Sequence, residues 1–186
     1  MITKDRTYRN FEIRASQEAN IIEGYAVVFD AITTLYSMGG IDYKECIKRS
    51  SFDSTELQDV VLVINHEGRP IARTKNGTLS LLVDQRGLKI RADLSGTEEG
   101  RKTFEEVKGG FFDSMSFSFI TDSEEYDKST HVRSITGIKR LFDVSLVNFA
   151  AYEQTNVSAR SYFIGAAETE LKEKIKIAKA KFEFMR

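Results

Sequence analysis

The sequence has few of the residues that form cross-links and common catalytic centres. Its 186 residues include one cysteine, Cys46, and two histidines, His66 and His131. A single cysteine excludes an internal disulfide and is typical of a reducing compartment. The acidic neighbours Asp42 and Glu45 are expected to raise the pKa of the Cys46 thiol, which makes Cys46 a poor candidate nucleophile.

Several kinds of binding site are also missing from the sequence. Lys and Arg number 27 and Asp and Glu number 28, so no overall charge attracts nucleic acid or an anionic membrane. No cluster of Cys or His has the spacing of metal ligands, and no Gly-rich phosphate loop follows a strand. We therefore expect no metal, no cofactor and no nucleic-acid partner.

Long hydrophobic segments are absent as well. No apolar run approaches the ~18 residues that cross a bilayer, and residues 1–6 lack the apolar core of a signal peptide. The expected location is therefore the cytosol, without membrane contact.

One common hydrolase motif is also missing. No Gly-x-Ser-x-Gly sequence is present, which argues against an α/β-hydrolase.

What the sequence does contain is a series of short apolar runs typical of strands. The predicted strands are residues 11–15, 21–29, 41–47, 60–64, 71–74, 78–83, 88–94, 114–120, 131–135 and 138–148. Residues 30–40 are expected to form a loop and residues 65–70 a turn. Residues 121–131 are polar and are expected to form a hairpin tip or a flexible flap.

Two helices are predicted among these strands. Thr97 is expected to cap the first, which ends at Gly109. Residues 168–184 are expected to form an amphipathic helix, because apolar residues recur at intervals of four, three and four: Leu171, Ile175, Ala178 and Phe182. The composition changes near Gly165, so we expect a domain of residues 1–165 followed by a C-terminal helix of residues 166–186, a candidate removable or anchoring tail.

The most unusual strand begins at Ser114 and alternates without a fault. Three apolar residues point to one face, and the serines point to the other: Ser114, Ser116 and Ser118. Strand propensity would favour Thr or Val on such a face. Since a small hydroxyl on a rigid strand suits a nucleophile, we interpret Ser116 as the nucleophile of a serine endopeptidase.

A serine nucleophile needs a general base, and the two histidines limit the choice. His66 follows the most apolar strand, residues 60–64, at the start of a Gly/Pro turn, where an accessible imidazole is suited to proton transfer. The alternative is a histidine that only satisfies carbonyls of the turn. His131 lies in the polar hairpin and is expected to be a solvated surface residue.

The base in turn needs a group that orients it, and Asp143 is the leading candidate. It is a lone acid in an apolar strand, where a buried carboxylate requires a partner. The alternative is an acid at the exposed start of that strand, paired with Lys139 or Arg140. The residues alone leave these two interpretations open.

The order and spacing of these segments resemble the tailed-bacteriophage prohead protease family, whose fold is similar to that of the herpesvirus assemblins. The resemblance covers about residues 11 to 160. The matching pieces are Gly24-Tyr25-Ala26-Val27-Val28-Phe29, Val63-Ile64-Asn65-His66, Arg86-Gly87-Leu88, the helix that ends at Gly109-Gly110, Ser114-Met115-Ser116-Phe117-Ser118-Phe119 and Asp143-Val144-Ser145-Leu146-Val147.

The resemblance implies roles for individual residues. It makes His66 the base and Ser116 the nucleophile, with Ser114 as an alternative on the same strand face. Asp143 lies where the family has an acid on its last core strand. The herpesvirus relatives use a second histidine as the third member, so His131 stays an alternative to Asp143.

The resemblance also implies a fold and a function. We expect an α+β protein, mostly an antiparallel β-barrel, with a helix before the serine strand and an amphipathic C-terminal helix. The expected function is a serine endopeptidase of phage capsid maturation, acting in the host cytoplasm inside the assembling prohead. Its substrates would be scaffold, the N-terminal part of the major capsid protein, or both, and self-cleavage is implied. Assemblins act as dimers, so a homodimer is compatible with this interpretation.

Two alternatives remain at this point. The first is a catalytically inactive relative that serves as a scaffolding or capsid-interaction module on the same barrel. The second is a small β-barrel binding protein in which the serine face is an ordinary solvated strand.

Overall fold

The structure is a computed structural model that describes residues 11–16, 20–38, 40–148 and 157–184. It confirms an α+β chain made mostly of strands. The strands are β1 (Phe11–Ala15), β2 (Ile21–Val28), β3 (Ile32–Met38), β4 (Ile41–Ile47), β5 (Val61–Ile64), β6 (Glu67–Arg73), β7 (Leu79–Val83), β8 (Gly87–Asp93), β9 (Ser114–Asp127) and β10 (Val132–Val147). The α-helices are α1 (Glu98–Lys108) and α2 (Val157–Phe184), and Arg49–Phe52 and Thr74–Asn76 form short 3-10 helices.

The sheet is organised about β10. The strands pair in the order β3-β4-β10-β9-β1-β2-β8-β7, and β5 pairs with both β10 and β6. β9 and β10 form a long antiparallel hairpin, whereas β4 and β5 run parallel to β10 near its two ends. The sheet is therefore mixed rather than wholly antiparallel.

The predicted β-barrel is not confirmed. Within the described residues the pairing path has two ends, β3 and β7, and these two strands do not pair with each other. Alternation of apolar residues shows which face of each strand is buried, and the pattern is the same for an open sheet and for a barrel. Closure depends on whether the first and last strands meet, which the alternation does not report.

The apolar face of β9 lies in the core, as its alternation predicted. Met115, Phe117 and Phe119 are each 0% exposed, and the two phenylalanine rings stack with their centroids 4.9 Å apart. Their neighbours on β10 include Val144 and Leu146, which are also fully buried. The serine side chains of β9 therefore lie on the opposite face of the sheet.

α1 leads the chain into β9. Thr97 Oγ1 accepts the Gly100 N–H at 2.9 Å, so the predicted cap is confirmed. Gly110 follows the helix with a left-handed φ of 76°, a conformation that glycine adopts without strain. Phe104 and Val107 are buried in the core, and this packing holds α1 against the sheet.

Several strands differ from the prediction. Residues 32–38, expected in a loop, form β3, and β6 begins at Glu67, so that Pro70 lies inside a strand that pairs only with β5 in the described chain. A proline is tolerated there because an edge strand can spare one N–H group. β9 continues to Asp127 opposite β10, so most of the predicted flap is paired strand. Pairing with a neighbouring strand overrides the weak strand propensity of these polar segments.

α2 begins at Val157, earlier than the predicted start at residue 168. Leu171 and Ile175 are 59% and 46% exposed, so the described residues do not cover the predicted apolar stripe, and the side chain of Phe182 lies outside the described part. Gly165 lies within α2, and a tail distinct from residues 1–165 remains a prediction. Neither helix in the described residues is both long and apolar enough to cross a membrane.

Candidate active site

His66 lies in a two-residue turn between β5 and β6. Ile64 pairs with Glu67, and the residues between them have left-handed φ angles of 50° for Asn65 and 59° for His66. A type I′ turn, whose twist suits a hairpin, requires positive φ angles at both of its central residues, as found here. Asn and His are among the non-glycine residues found most often in this conformation. The turn therefore fits its sequence without the usual glycine.

Hydrogen bonds with the end of β10 hold this turn in place. The Asn65 N–H donates to the Leu146 carbonyl at 2.8 Å, and the Asn148 N–H donates to Asn65 Oδ1 at 3.3 Å. Because β5 runs parallel to β10 up to Ile64, the first of these bonds continues the pairing beyond the strand. The turn is thus fastened to the strand that carries Asp143.

The ring of His66 contacts Asp143. Nδ1 of the imidazole lies 2.6 Å from Asp143 Oδ1, and both side chains are 7% exposed. An ionised carboxylate only accepts hydrogen bonds, so this contact places the hydrogen of a neutral ring on Nδ1. It leaves Nε2 as the basic nitrogen, which is the arrangement that a general base requires.

Ser116 lies on β9 on the same face of the sheet. It is opposite Ser145 of β10, and Ser145 is two residues from Asp143, so the three side chains share one face. Neighbouring strands are about 4.8 Å apart, so one strand spacing separates Ser116 from Ser145. Ser116 is 1% exposed, and its Oγ has no hydrogen-bond partner among the described residues.

The other two serines of β9 occupy different surroundings. Ser114 pairs with Val147 at the end of the hairpin, and its hydroxyl donates to Asp113 Oδ1 at 2.7 Å. Ser118 is opposite Asp143, is fully buried, and has an Oγ without a hydrogen-bond partner in the described residues. Of the three, Ser116 is therefore the one aligned with Ser145, the residue whose side chain contacts the His66 backbone.

His131 is far from this group. It precedes β10 at the distal end of the hairpin, where its Nδ1 lies 2.8 Å from the Tyr126 hydroxyl. Asp143 is twelve residues further along the chain, near the other end of β10, where β10 pairs with β5. The structure thus brings His66 together with Asp143 and not with His131.

Cys46 shows no sign of activation. It is buried in β4, and burial is the main cause that raises the pKa of its thiol. A raised pKa leaves less thiolate at neutral pH and lowers nucleophilicity. Among the described residues, no group of three or more His, Cys, Asp or Glu side chains is arranged to hold a metal ion.

A comparison with models of known protein families assigns the chain to a family. A family model described as Caudovirus prohead serine protease matches residues 9–169, which is most of the chain. The chain belongs to this family. No curated protein and no solved structure was found to match it.

Membership of the prohead serine protease family supports a serine protease of phage capsid assembly. Similarity to the herpesvirus assemblins stays an expectation. Sequence reasoning missed one polar residue of this site, Ser145, whose hydroxyl accepts the His66 N–H at 2.8 Å. Its spacing of two from Asp143 was the available signal, because residues two apart on a strand share a face.

Proposed function

We propose that this prohead protease is a serine endopeptidase in which Ser116 is the nucleophile, His66 the general base and Asp143 the residue that orients the base. The observation that carries the proposal is the 2.6 Å contact between His66 Nδ1 and Asp143 Oδ1, on the sheet face that also carries Ser116. A serine hydroxyl is a weak nucleophile until a positioned base removes its proton.

The reaction is an acyl transfer in two halves. Ser116 Oγ attacks the carbonyl carbon of the scissile bond while its proton moves to His66 Nε2, and the carbonyl oxygen becomes an oxyanion. The oxyanion collapses, the C–N bond breaks, and His66 gives the proton to the leaving amine. A water molecule then attacks the acyl-serine with His66 again as base, which releases the acid and restores Ser116. Asp143 stabilises the imidazolium in both halves.

The burial of Ser116 has a consequence for this reaction. The residue is 1% exposed, and its Oγ contacts almost no solvent. A substrate carbonyl therefore reaches Oγ only after atoms above this face move aside. The same burial favours the alternative of an inactive capsid-interaction module, so activity has to be measured directly.

Membership of the family supports phage capsid proteins as the class of substrate. We propose that the enzyme cleaves scaffold, the N-terminal part of the major capsid protein, or both, inside the assembling prohead in the host cell. Self-cleavage is part of the proposal, with residues 166–186 as the segment removed or used as an anchor. The exposed Leu171 and Ile175 of α2 support accessibility of that segment.

Replacement of the nucleophile tests the mechanism. Ser116→Ala is expected to lower cleavage of co-expressed scaffold or capsid protein by roughly 10⁶-fold, because the acyl-enzyme cannot form. The measurement is processing followed by gel and mass spectrometry, with folding checked by circular dichroism. Ser118→Ala, which removes a neighbouring buried hydroxyl of the same face, is the matched control and should process normally.

A serine-directed phosphonate provides the second measurement. It should label Ser116 in the wild-type protein. The labelling should be lost in His66→Ala, since the serine hydroxyl is a weak nucleophile without its general base. Undiminished processing by Ser116→Ala would remove this residue from the mechanism, and Ser114→Ala would then be tested. A folded wild-type protein with neither labelling nor cleavage would support the inactive module.

A further inference from the structure

Ser145 lies on β10 opposite Ser116 and is hydrogen-bonded to the turn that carries His66. Its Oγ accepts the His66 N–H at 2.8 Å, and its own hydrogen has two carbonyl acceptors in range, Val63 at 3.3 Å and Leu146 at 3.2 Å. Ser145 is 0% exposed. Its hydroxyl is thus fully committed to hydrogen bonds inside the protein.

The position of Ser145 in the sheet is equally specific. It pairs with Ser116 on one side of β10 and with Val63 of β5 on the other. Asp143, which contacts the His66 ring, is on the same face two residues earlier. One short segment of β10 therefore contacts both the backbone and the ring of His66 and also lies against the nucleophile's strand.

We propose that Ser145 is a positioning residue that sets the location of the His66 imidazole relative to Ser116. The inference rests on the proposed function, because it concerns the same nucleophile and base. Asp143 restrains Nδ1 of the ring, and Ser145 restrains the backbone from which the ring projects. β10 thus restrains both the backbone of His66, through Ser145, and its ring, through Asp143.

The conformation of the turn explains why a second restraint matters. His66 has a left-handed φ of 59°, which histidine adopts more readily than most non-glycine residues but which surrounding contacts still help to hold. Loss of the Ser145 hydroxyl removes the acceptor of the His66 N–H from a buried site. The turn then pivots on the neighbouring Asn65–Leu146 bond, and the imidazole moves relative to Ser116. A displacement of about 1 Å is enough to cost about 100-fold in rate.

Ser145→Ala tests this inference by kinetics. We expect kcat to fall by about 10- to 100-fold with KM within about twofold of wild type, because the base and not the substrate site is displaced. Ser145→Thr keeps the hydroxyl and should restore most of kcat. Ser118→Ala removes a hydroxyl that is equally buried but has no hydrogen-bond partner in the described residues, and it should leave kcat unchanged.

Nuclear magnetic resonance gives a readout that does not depend on activity. In the wild-type protein the His66 amide should exchange slowly with solvent, and in Ser145→Ala it should exchange about tenfold faster or more, while Ser118→Ala leaves it unchanged. Nitrogen-15 spectra of the His66 ring should show a changed Nδ1–H environment only in the Ser145 variant. If Ser145→Ala does not fold, Ser145→Cys, whose sulfur is a weak acceptor, takes its place.

Three results would overturn the inference. They are fast exchange of the His66 amide in the wild-type protein, wild-type kcat and exchange in Ser145→Ala, and an equal loss of kcat in Ser118→Ala. If the wild-type protein has no peptidase activity, the proposed function fails. The amide exchange and ring spectra then decide separately whether Ser145 holds His66 in position.

Discussion

Asp143 shows how one side chain acquires its role from its surroundings. Its carboxylate is 7% exposed in the middle of an apolar strand, and burying a charge is costly unless a partner is present. The sequence left His66 and a basic neighbour as alternative partners. Arg140 instead lies 4.0 Å from Glu56 and over the ring of Phe142, and Asp143 contacts the imidazole.

The first prediction concerns this contact. Asp143→Asn should lower kcat by about 10⁴-fold while the fold is retained, because the amide no longer favours the tautomer with the hydrogen on Nδ1. Peptide hydrolysis measures the effect, and circular dichroism reports folding. Asp122→Asn, an exposed aspartate on β9, is the control and should keep wild-type activity. An Asp143→Asn variant within about tenfold of wild type would mean that Asp143 does not orient the base.

At the scale of elements, the pairing of β2 with β8 depends on a single missing side chain. Gly87 pairs with Val28, and a Cβ atom at Gly87 would lie 1.9 Å from the Val27 carbonyl oxygen. The obstructing atom belongs to the backbone of a buried strand, so it cannot rotate away. β8 also pairs with β7, so this contact affects one end of the whole pairing path.

The second prediction follows from that contact. Gly87→Ala should destabilise the protein by about 3 kcal/mol, since overpacking forces the two backbones apart. The free energy of unfolding in urea is the measurement. Gly96→Ala is the matched control, because no atom lies within 4 Å of its added Cβ, and a change within about 0.5 kcal/mol is expected. Equal midpoints for the two variants would show that the strands separate at little cost.

At the scale of the whole molecule, several aspartates make the free energy of unfolding depend on pH in the acid range. Hydrogen bonds or an ion pair lower the pKa values of these carboxyls below the ordinary 3.8: Asp59 beside Arg73, Asp84 beside Gly87, Asp93 beside Ser95 and Asp127 beside Ser129. For Asp127 the Ser129 hydroxyl is the largest cause and lowers the pKa to about 2. Between the folded and the unfolded pKa of each carboxyl, the unfolded chain binds more protons than the folded one, so acid favours unfolding.

The third prediction is the resulting pH profile. The free energy of unfolding should be constant above the unfolded pKa, and should fall as the pH drops from about 4 to about 2. Urea denaturation at a series of pH values measures this slope. Asp127→Asn and Ser129→Ala should both make the slope shallower, since each removes part of the difference between the folded and unfolded pKa. A slope identical to wild type in both variants would contradict the assignment.

The sequence by itself determined the local features of this protein. The alternation of residues 114–119 predicted the buried and hydroxyl faces of β9, and the continuous apolar run before His66 predicted the strand β5. Thr97 and the glycines after α1 marked the ends of that helix. These features follow from burial, side-chain periodicity and capping, which act within a few residues along the chain.

Only the tertiary structure decided which strands are neighbours. His66 and Asp143 are 77 positions apart, and they meet because β5 pairs in parallel with β10, an arrangement that no local pattern encodes. The same pairing places Ser145 under the His66 turn and leaves His131 at the other end of β10. The sheet is open for a different reason: β3 and β7, the two ends of its pairing path in the described residues, do not pair with each other. Apolar periodicity indicates which face of each strand is buried. The partner and the register of each strand come from packing between segments far apart in sequence.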